Sequence, residues 1–472
     1  MIPLLRLQQL NSRRMNDMKL FVKDKLFYKT FLSMTAVIAL QNLITFAVNL
    51  ADNIMIGGYS QDALSGVAMV NQIQFLLQMI VGGIGNGIAV LGSQYWGKKQ
   101  VEPIRRVTSI GMVFGLAAGL IMTLITYFFP IQTISILTNE TAVIEEAAKY
   151  LVIICFSYVL FSVTNVLLAA LRSVETVRIG FVVTLTALVV NVVLNYGLIY
   201  GKLGMPEMGV EGAAIATLVS RIVEFLIVVG YTLFVDKKIR WRPSGMAHLD
   251  KGLFRDYIRV GMPLVISSGT WGVAMGAQTA ILGRLGGDTI AANSIATTIF
   301  QVVSVVCYGS ATSSSVVIGK TVGEADIPRV KAYTKTLQVI YIFIGLCSGA
   351  VLWLCKDFIL GLYSINDATY DLATQFIGVL SITVIGTSYQ VACLTGIVTG
   401  GGDTRFVLIN DLIHQWLIVL PAAFLSAFVF KFPVWITFAC LKSDQILKCF
   451  VAIVKVNRYR WIHILTREDA AK

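Results

Sequence analysis

The feature that most constrains this chain is a series of long apolar blocks, each about as long as a lipid bilayer is thick. The stretch 181–194, for example, reads FVVTLTALVVNVVL and contains no charged residue. About 20 apolar residues in a helix span the roughly 30 Å hydrocarbon core of a bilayer. Only 14% of the 472 residues are charged and 56% are hydrophobic, whereas soluble domains carry about 25% charged residues. The sequence therefore predicts an all-α polytopic membrane protein.

The blocks predict about 12 transmembrane helices. They cover 28–56, 62–94, 108–131, 143–171, 178–201, 209–235, 254–284, 288–319, 335–357, 369–399, 405–430 and 433–454. The first gaps are short, so neighbouring helices are expected to form antiparallel hairpins.

Basic residues fall in alternate connecting segments. One set comprises Lys19, Lys23, Lys25 and Lys29; Lys98, Lys99, Arg105 and Arg106; Arg172 and Arg178; Lys237, Lys238, Arg240 and Arg242; Lys320, Arg329, Lys331 and Lys335; Arg405; and Lys455, Arg458 and Arg460. The intervening loops hold only Lys202, Arg284, Lys356 and Lys431. By the positive-inside rule, both termini are expected in the cytoplasm and the number of spans is even.

The N-terminal segment, up to Thr30, is basic and only weakly apolar. It lacks the apolar core and the small-residue cleavage site of a signal peptide. The first apolar block is therefore expected to be an uncleaved anchor, and Met15 or Met18 is an alternative start.

The net charge of +12 does not indicate a nucleic-acid-binding protein, because the basic residues lie in short loops and the aromatic residues lie inside the apolar blocks. The cysteines and histidines do not predict a metal site. They show no paired spacing and stand at Cys155, Cys307, Cys347, Cys355, Cys393, Cys440 and Cys449, and at His248, His414 and His463. We expect the cysteines to be small apolar residues within helices.

The chain contains an internal repeat with an offset of 226 residues. GGYSQDALSGVAMVNQI at 57–73 aligns with GRLGGDTIAANSIATTI at 283–299. The offset also aligns glycines and acids in pairs: Gly57 with Gly283, Asp62 with Asp288, Gly83 with Gly309 and Gly97 with Gly323. Six helices repeated in one orientation predict two pseudo-symmetric six-helix bundles related by an axis along the membrane normal, with a cleft between them.

This repeat divides the chain into five predicted segments. They are a cytoplasmic N-terminal segment, 1–27; an N-lobe bundle, 28–235; a cytoplasmic linker, 236–253; a C-lobe bundle, 254–454; and a cytoplasmic tail, 455–472.

Asp52 is the sharpest candidate for a functional residue. It lies inside the first predicted helix, in TFAVNLADNIMIGG. A charge within a span costs a few kcal/mol to insert and normally faces a cavity or a partner. Such a carboxylate, whose charge a cation or proton can neutralise, suits a proton- or sodium-coupled carrier. The alternative is a juxtamembrane aspartate exposed at the outer end of the helix.

Neutral polar residues in neighbouring spans are candidates to surround a cation at Asp52. Asn191 and Asn195 share one face of the fifth helix because they are four residues apart. Asn165 lies in the fourth helix and Thr217 in the sixth. Their oxygens would suit a hard cation such as Na⁺. The alternative is helix–helix hydrogen bonding, which polar residues commonly provide in membranes.

The second half offers candidates for a substrate cavity rather than an obvious cation site. The polar and aromatic residues inside its predicted spans are Trp271, Gln278, Gln301, Gln390, Asp411, His414 and Trp416. Asp411 and His414 lie within one turn of the eleventh helix and are candidates to face cationic compounds. Asp411 is alternatively a solvated charge near the end of its helix.

Several classes of enzyme motif are absent from the sequence. No GxxxxGK[ST] phosphate loop occurs, so the chain is not by itself an ATP-driven pump subunit. HExxH and GxSxG are also absent, and three scattered histidines do not supply a clustered catalytic set. The sequence does not predict an enzyme.

The chain resembles the multidrug and toxic-compound extrusion (MATE) family along nearly its whole length. The resemblance is carried by NLADNIMIGG, SQYWGKK, LLAALRSVETVR, NVVLNYGLIYG, GVEGAAIATLVSR and TGIVTGGGDTRF, at 49–58, 93–99, 167–178, 191–201, 209–221 and 395–406. It implies two six-helix bundles, cytoplasmic termini and alternating access.

The same resemblance implies the residues of a cation site. Asp52 stands at the family's N-lobe cation-binding acid, Asn191 and Asn195 match its fifth-helix pair, Thr217 matches its sixth-helix hydroxyl, and Asn165 is a looser match. This sequence departs from some members by having Trp271 where they carry an acid, and by lacking an acid in 384–396. The N-lobe site is therefore the favoured one.

We interpret the chain as a secondary active multidrug efflux transporter, exchanging H⁺ or Na⁺ for amphipathic, often cationic, organic compounds. It is expected to be a monomer in the cell membrane, with no cofactor and no nucleic-acid partner. Two alternatives remain. A flippase for lipid-linked oligosaccharides would need a basic cavity for pyrophosphate, and a polytopic membrane enzyme would need a catalytic cluster.

Overall fold

The computed structural model describes residues 21–247, 250–361, 363 and 365–467. The described chain is helical, and we number its major helices α1 to α12. They are α1 (Lys25–Tyr59), α2 (Gln61–Gly97), α3 (Val101–Phe128), α4a (Thr141–Ile154), α4b (Ser157–Ser173), α5 (Arg178–Tyr200), α6 (Gly209–Val235), α7 (Lys251–Gly283), α8 (Gly287–Gly323), α9 (Ile327–Leu360), α10 (Asp367–Val398), α11 (Thr404–Val429), α12a (Val434–Leu441) and α12b (Asp444–Asn457). Met15, Met18, Lys19, His248 and Lys472 lie outside the described residues.

These helices confirm the predicted all-α multi-pass membrane fold. Within the described part of the chain, ten continuous helices are long and apolar enough to cross a membrane, and the number rises to eleven if α4a and α4b, bent by 54° at their break, count as one span. In α12 a break separates pieces of 8 and 14 residues. The arrangement is consistent with 12 helices in two lobes, at the predicted positions apart from shifts of a few residues and the breaks in α4 and α12.

Two glycines from the repeat bring the halves into direct contact at one end of the molecule. A Cβ atom at Gly97, the last residue of α2, would lie 2.0 Å from the carbonyl oxygen of Lys320 in α8. A Cβ atom at Gly323, the last residue of α8, would lie 1.9 Å from the carbonyl oxygen of Gln94 in α2. Only glycine permits this reciprocal backbone contact, as in other small-residue helix crossings.

The first helix of each half begins by packing on the opposite half. Phe31 in α1 is fully buried in an apolar cluster with Tyr333, Tyr341 and other residues of the second half. Tyr257 in α7, 226 positions later, is buried in a cluster of the first half, and its hydroxyl donates a 2.9 Å hydrogen bond to the carbonyl oxygen of Ile84. The two contacts are equivalent under the repeat.

We name the end of the molecule at which Gly97 and Gly323 meet the basic face, because the basic segments that follow α2 and α8 and the described ends of the chain lie there. The last described residues cross it. Trp461 is buried against Gly401 in the second half. The side-chain amide of Gln94 in the first half donates to the carbonyl oxygens of Gly400 and His463, 3.2 Å each, and accepts from the backbone of Leu465 at 2.9 Å. An ion pair between Lys320 and Glu175, 2.9 Å long, joins the halves at the same face.

The segment between α6 and α7 is anchored on the first half. The indole of Trp241 is buried and donates a 2.9 Å hydrogen bond to the hydroxyl of Ser109 in α3. The guanidinium of Arg105 donates a 2.6 Å bond to the carbonyl oxygen of Ile239. The division into lobes at 236–253 stays a prediction.

Candidate cation site and cavity

The candidate cation site is a chain of hydrogen bonds that joins α1, α5 and α6. The side-chain amide nitrogen of Asn195 donates a short hydrogen bond to the carboxylate of Asp52. It also donates to the amide oxygen of Asn191, 3.1 Å away, and Asn191 in turn donates to the hydroxyl of Thr217 at 3.3 Å. Four predicted residues therefore lie together although they come from three different helices.

Local helix geometry explains this alignment. Asn191 and Asn195 lie four residues apart, so both side chains leave the same face of α5, and both are buried. The amide oxygen of Asn195 is buried and has no hydrogen-bond partner. A buried acceptor without a partner is costly, so this oxygen is available to a cation or to a proton carried by Asp52.

Asp52 lines a small cavity within the first half of the chain. The cavity has a mixed polar and apolar wall from α1, α2, α4a, α5 and α6. It is lined by Thr45, Val48, Asn49, Asp52, Asn71, Gln74, Tyr150, Thr184, Ala187, Asn191, Thr217, Ser220, Arg221 and Glu224. An acid that lines a cavity is the arrangement expected of an intramembrane functional group.

Arg221 is the cavity residue that the sequence interpretation missed. It lies four residues after Thr217 on α6, and its guanidinium forms a 2.8 Å ion pair with Glu224. The guanidinium also lies over the ring of Phe161, 5.1 Å from the ring centroid. The signal was present in the sequence, because a basic residue inside a predicted span is as exceptional as an acidic one.

Asn165 does not join this group. Its amide nitrogen donates a 2.9 Å hydrogen bond to the carbonyl oxygen of Phe161 on its own helix. It is also absent from the described cavity wall.

In the second half, Asp411 belongs to a buried charged cluster. Its carboxylate accepts a 2.9 Å bond from the ammonium group of Lys448 and a 2.6 Å bond from the hydroxyl of Ser267. The ammonium group also lies 3.6 Å from Asp444. This cluster joins α7, α11 and α12b, and Asp411 is therefore not a solvated charge at a helix end. Lys448 and Asp444 were not singled out from the sequence.

The predicted glutamines extend this cluster. Gln278 donates to Gln415 at 3.3 Å, and Gln415 donates to Asp444 at 3.1 Å. Gln390 donates a 2.8 Å bond to Gln445, which itself donates to Asp444. Such networks stabilise helix packing in membranes.

The other second-half candidates have no described hydrogen bond to this cluster. Trp271 faces the first half, with its ring 6.2 Å from the ring of Phe75. Gln301 and Trp416 are exposed. His414 is buried, and its ring nitrogen lies 2.8 Å from the carbonyl oxygen of Asn410 one turn earlier.

Long apolar helices with a carboxylate in a cavity between them are typical of a multi-pass membrane transporter. The chain belongs to the MatE family, whose model matches residues 38–197 and 263–425. Members of this family are transporters and not enzymes. The resemblance drawn from the sequence motifs is thereby confirmed.

Curated relatives match most of the chain. A probable multidrug resistance protein NorM of Listeria monocytogenes is 25% identical over 438 residues, which cover 91% of this chain and 94% of that protein. A probable multidrug resistance protein NorM of Thermotoga maritima is 24% identical over 431 residues, covering 91% and 92% of the two chains.

Solved structures share the fold at low sequence identity. A transporter of the MOP superfamily from Pyrococcus furiosus, described as having a binding pocket of reverse polarity that suggests a different function, has a TM-score of 0.84 at 18% identity and covers 93% of this chain and 97% of its own. A multidrug resistance MATE transporter in an outward-facing conformation has a TM-score of 0.81 at 20% identity and covers 91% of this chain and 96% of its own.

Proposed function

We propose that this protein is a secondary active multidrug efflux transporter of the cell membrane, which exchanges H⁺ or Na⁺ for amphipathic, often cationic, organic compounds. The observation that carries the proposal is the contact of Asp52 with Asn195, Asn191 and Thr217 inside the cavity. The names of the NorM relatives support multidrug efflux as the physiological role.

The chemistry of the site suits an exchange of cation and substrate. An ionised Asp52 inside the membrane is unfavourable by a few kcal/mol, and a bound proton or Na⁺ removes that penalty. The amide oxygens and the hydroxyl around it are hard ligands of the kind that Na⁺ accepts. The same protonated acid would donate to the unpartnered oxygen of Asn195. The site therefore fits either coupling ion.

Coupling follows when cation and substrate bias the same equilibrium between two conformations, and this bias is reciprocal. One elementary charge moving through 100 mV supplies about 2.3 kcal/mol, which corresponds to a roughly fifty-fold substrate gradient. The ion gradient adds to this driving force.

The contacts between the halves support a proposed conformational state. Gly97 and Gly323 close the basic face, and the positive-inside rule assigns that face, with both termini, to the cytoplasm. The structure then corresponds to an outward-facing state. Transport requires these contacts to separate in the alternate state.

A flippase for lipid-linked oligosaccharides is the main competing function. A pyrophosphate group needs uncompensated positive charge. In the described cavity wall the basic residue is Arg221, and its guanidinium is paired with the carboxylate of Glu224 2.8 Å away. The charge balance therefore favours an antiporter for organic cations.

The proposal is tested by measuring drug efflux in a pump-deficient bacterial strain that expresses this chain. Efflux of ethidium should depend on an inward gradient of Na⁺ or H⁺ when sodium and pH are varied separately. The proposal fails if accumulation of ethidium and of a panel of other cationic and neutral drugs is the same as in the empty strain. It also fails if efflux persists when both gradients are collapsed.

A further inference from the structure

The cavity that holds Asp52 also holds a fixed cation and a second acid. Arg221 and Glu224 lie on the wall formed by α6, and their side chains are only 23% and 9% exposed. Among the described lining residues, these two and Asp52 are the acidic and basic side chains, and Tyr150 is the other titratable one. With both acids ionised, the cavity carries two negative charges and one positive charge.

The geometry holds the guanidinium of Arg221 beside Glu224. The 2.8 Å ion pair joins residues three apart on one helix, so both side chains leave the same face. The guanidinium carbon of Arg221 also lies over the ring of Phe161 on α4b, 5.1 Å from the ring centroid, in a cation–π contact. Asp52, by contrast, is bonded by a neutral amide. Glu224 is therefore in direct contact with a permanent counter-charge, whereas no described ion pair joins Arg221 to Asp52.

We propose that Arg221 sets the ion stoichiometry of the transporter: by neutralising Glu224, it leaves Asp52 as the single site for a mobile monovalent cation. Arg221 is thus a specificity-determining residue that acts through Glu224. This inference rests on the proposed function, because it assumes that Asp52 binds the coupling ion.

Removing Arg221 and removing Glu224 are expected to have opposite effects on the charge of the cavity. Removing Arg221 leaves Glu224 as an uncompensated buried acid, which is unfavourable, and the acid is expected to recruit a second Na⁺ or proton. Removing Glu224 leaves Arg221 unpaired in the same cavity as Asp52, where it competes with the mobile cation. Removing both restores the original balance of one negative charge.

The test is a double-mutant cycle on the full-length protein in detergent. Bound Na⁺ per chain is measured with radioactive sodium at equilibrium, and bound protons per chain by potentiometric difference titration. Relative to the wild type, R221Q should bind one additional cation, and R221Q/E224Q should return to the wild-type number. E224Q should bind the cation at least about tenfold more weakly, because a fixed positive charge then faces Asp52. Arg221→Lys, which keeps the charge, should bind the wild-type number.

The stoichiometry proposal is overturned if R221Q binds the same number of cations as the wild type while D52N binds fewer. If D52N binds as many cations as the wild type, the proposed role of Asp52 itself has failed, and the two failures are therefore distinguishable. If R221Q does not unfold cooperatively on heating, that variant is not folded, and the cation affinity of E224Q becomes the deciding measurement. An unchanged affinity in E224Q then overturns the proposal.

Discussion

The side-chain amide of Asn195 donates a hydrogen bond to the carboxylate of Asp52, although 143 residues separate the two in sequence. The contact links α1 to α5 across the cavity, and Asn191 and Thr217 extend it to α6. A cation that binds or leaves Asp52 therefore changes the contacts between three helices of the first half. This is the physical basis for the proposed coupling between ion binding and a change of conformation.

Replacing Asn195 with alanine should weaken the cation dependence of transport without abolishing it. The site loses a neutral ligand and a hydrogen bond to a charged group, worth about 1.5–3 kcal/mol, while the charge of Asp52 remains. We expect roughly a tenfold or greater rise in the cation concentration for half-maximal efflux. Asn165→Ala is the matched control, since Asn165 bonds to its own helix. Equal effects of the two substitutions would contradict the assignment.

Gly97→Ala should destabilise the closed basic face. The added Cβ would meet the carbonyl oxygen of Lys320 at 2.0 Å, so the halves must shift apart, and overpacking of this kind costs roughly 1–3 kcal/mol. The melting temperature in detergent should fall. Gly82→Ala on the same helix is the control, because a Cβ there meets no heavy atom within 4 Å. A melting temperature unchanged by Gly97→Ala would show that the close approach is not required.

Lys448→Met should lower the stability of the second half more than substitutions at other lysines. Asp411 and Asp444 lie 2.9 and 3.6 Å from the ammonium group, and breaking a buried ion pair costs about 3–5 kcal/mol. Adding Asp411→Asn should recover part of the loss in melting temperature. Lys149→Met, at an exposed pair with Glu146, should change the melting temperature little. Indistinguishable melting curves for the two lysine variants would contradict the buried cluster.

The proposed topology places Asn139 outside the cell and the C-terminus inside. Asn139 is exposed in the segment between α3 and α4a, which contains no lysine or arginine. A cysteine introduced there should react with a membrane-impermeant maleimide in intact cells, whereas a reporter fused after Lys472 should read cytoplasmic. The proposed even number of spans would be contradicted if the introduced cysteine did not react in intact cells, or if the reporter after Lys472 were external.

The sequence predicted most of the fold because bilayer thickness and loop charge constrain helices strongly. It also placed Asp52, Asn191, Asn195 and Thr217 together, since an intramembrane acid needs partners and the family motifs located them. The break in α12 at Lys442 was not foreseen, because apolar composition alone does not reveal where a helix interrupts its hydrogen bonding.

The remaining site residues were missed for a different reason. Arg221 and Lys448 lie inside predicted spans, but basic residues were considered only as markers of loops. The partner of Lys448, Asp411, lies on another helix and depends on which helix faces meet, whereas the partner of Arg221, Glu224, is three residues later on the same helix. Contacts between helices do not follow from the sequence pattern, whereas the burial cost of each charge and the three-residue spacing of Arg221 and Glu224 do.

The most direct test of the account is efflux by D52N in proteoliposomes with an imposed ion gradient. Asparagine keeps the shape of the side chain but removes the charge that attracts a cation, so gradient-driven ethidium efflux should collapse while expression and membrane insertion persist. Asp62→Asn, an exposed acid at the start of α2, should pump like the wild type. The account is contradicted if D52N transports ethidium at the wild-type rate with an unchanged dependence on the ion gradient.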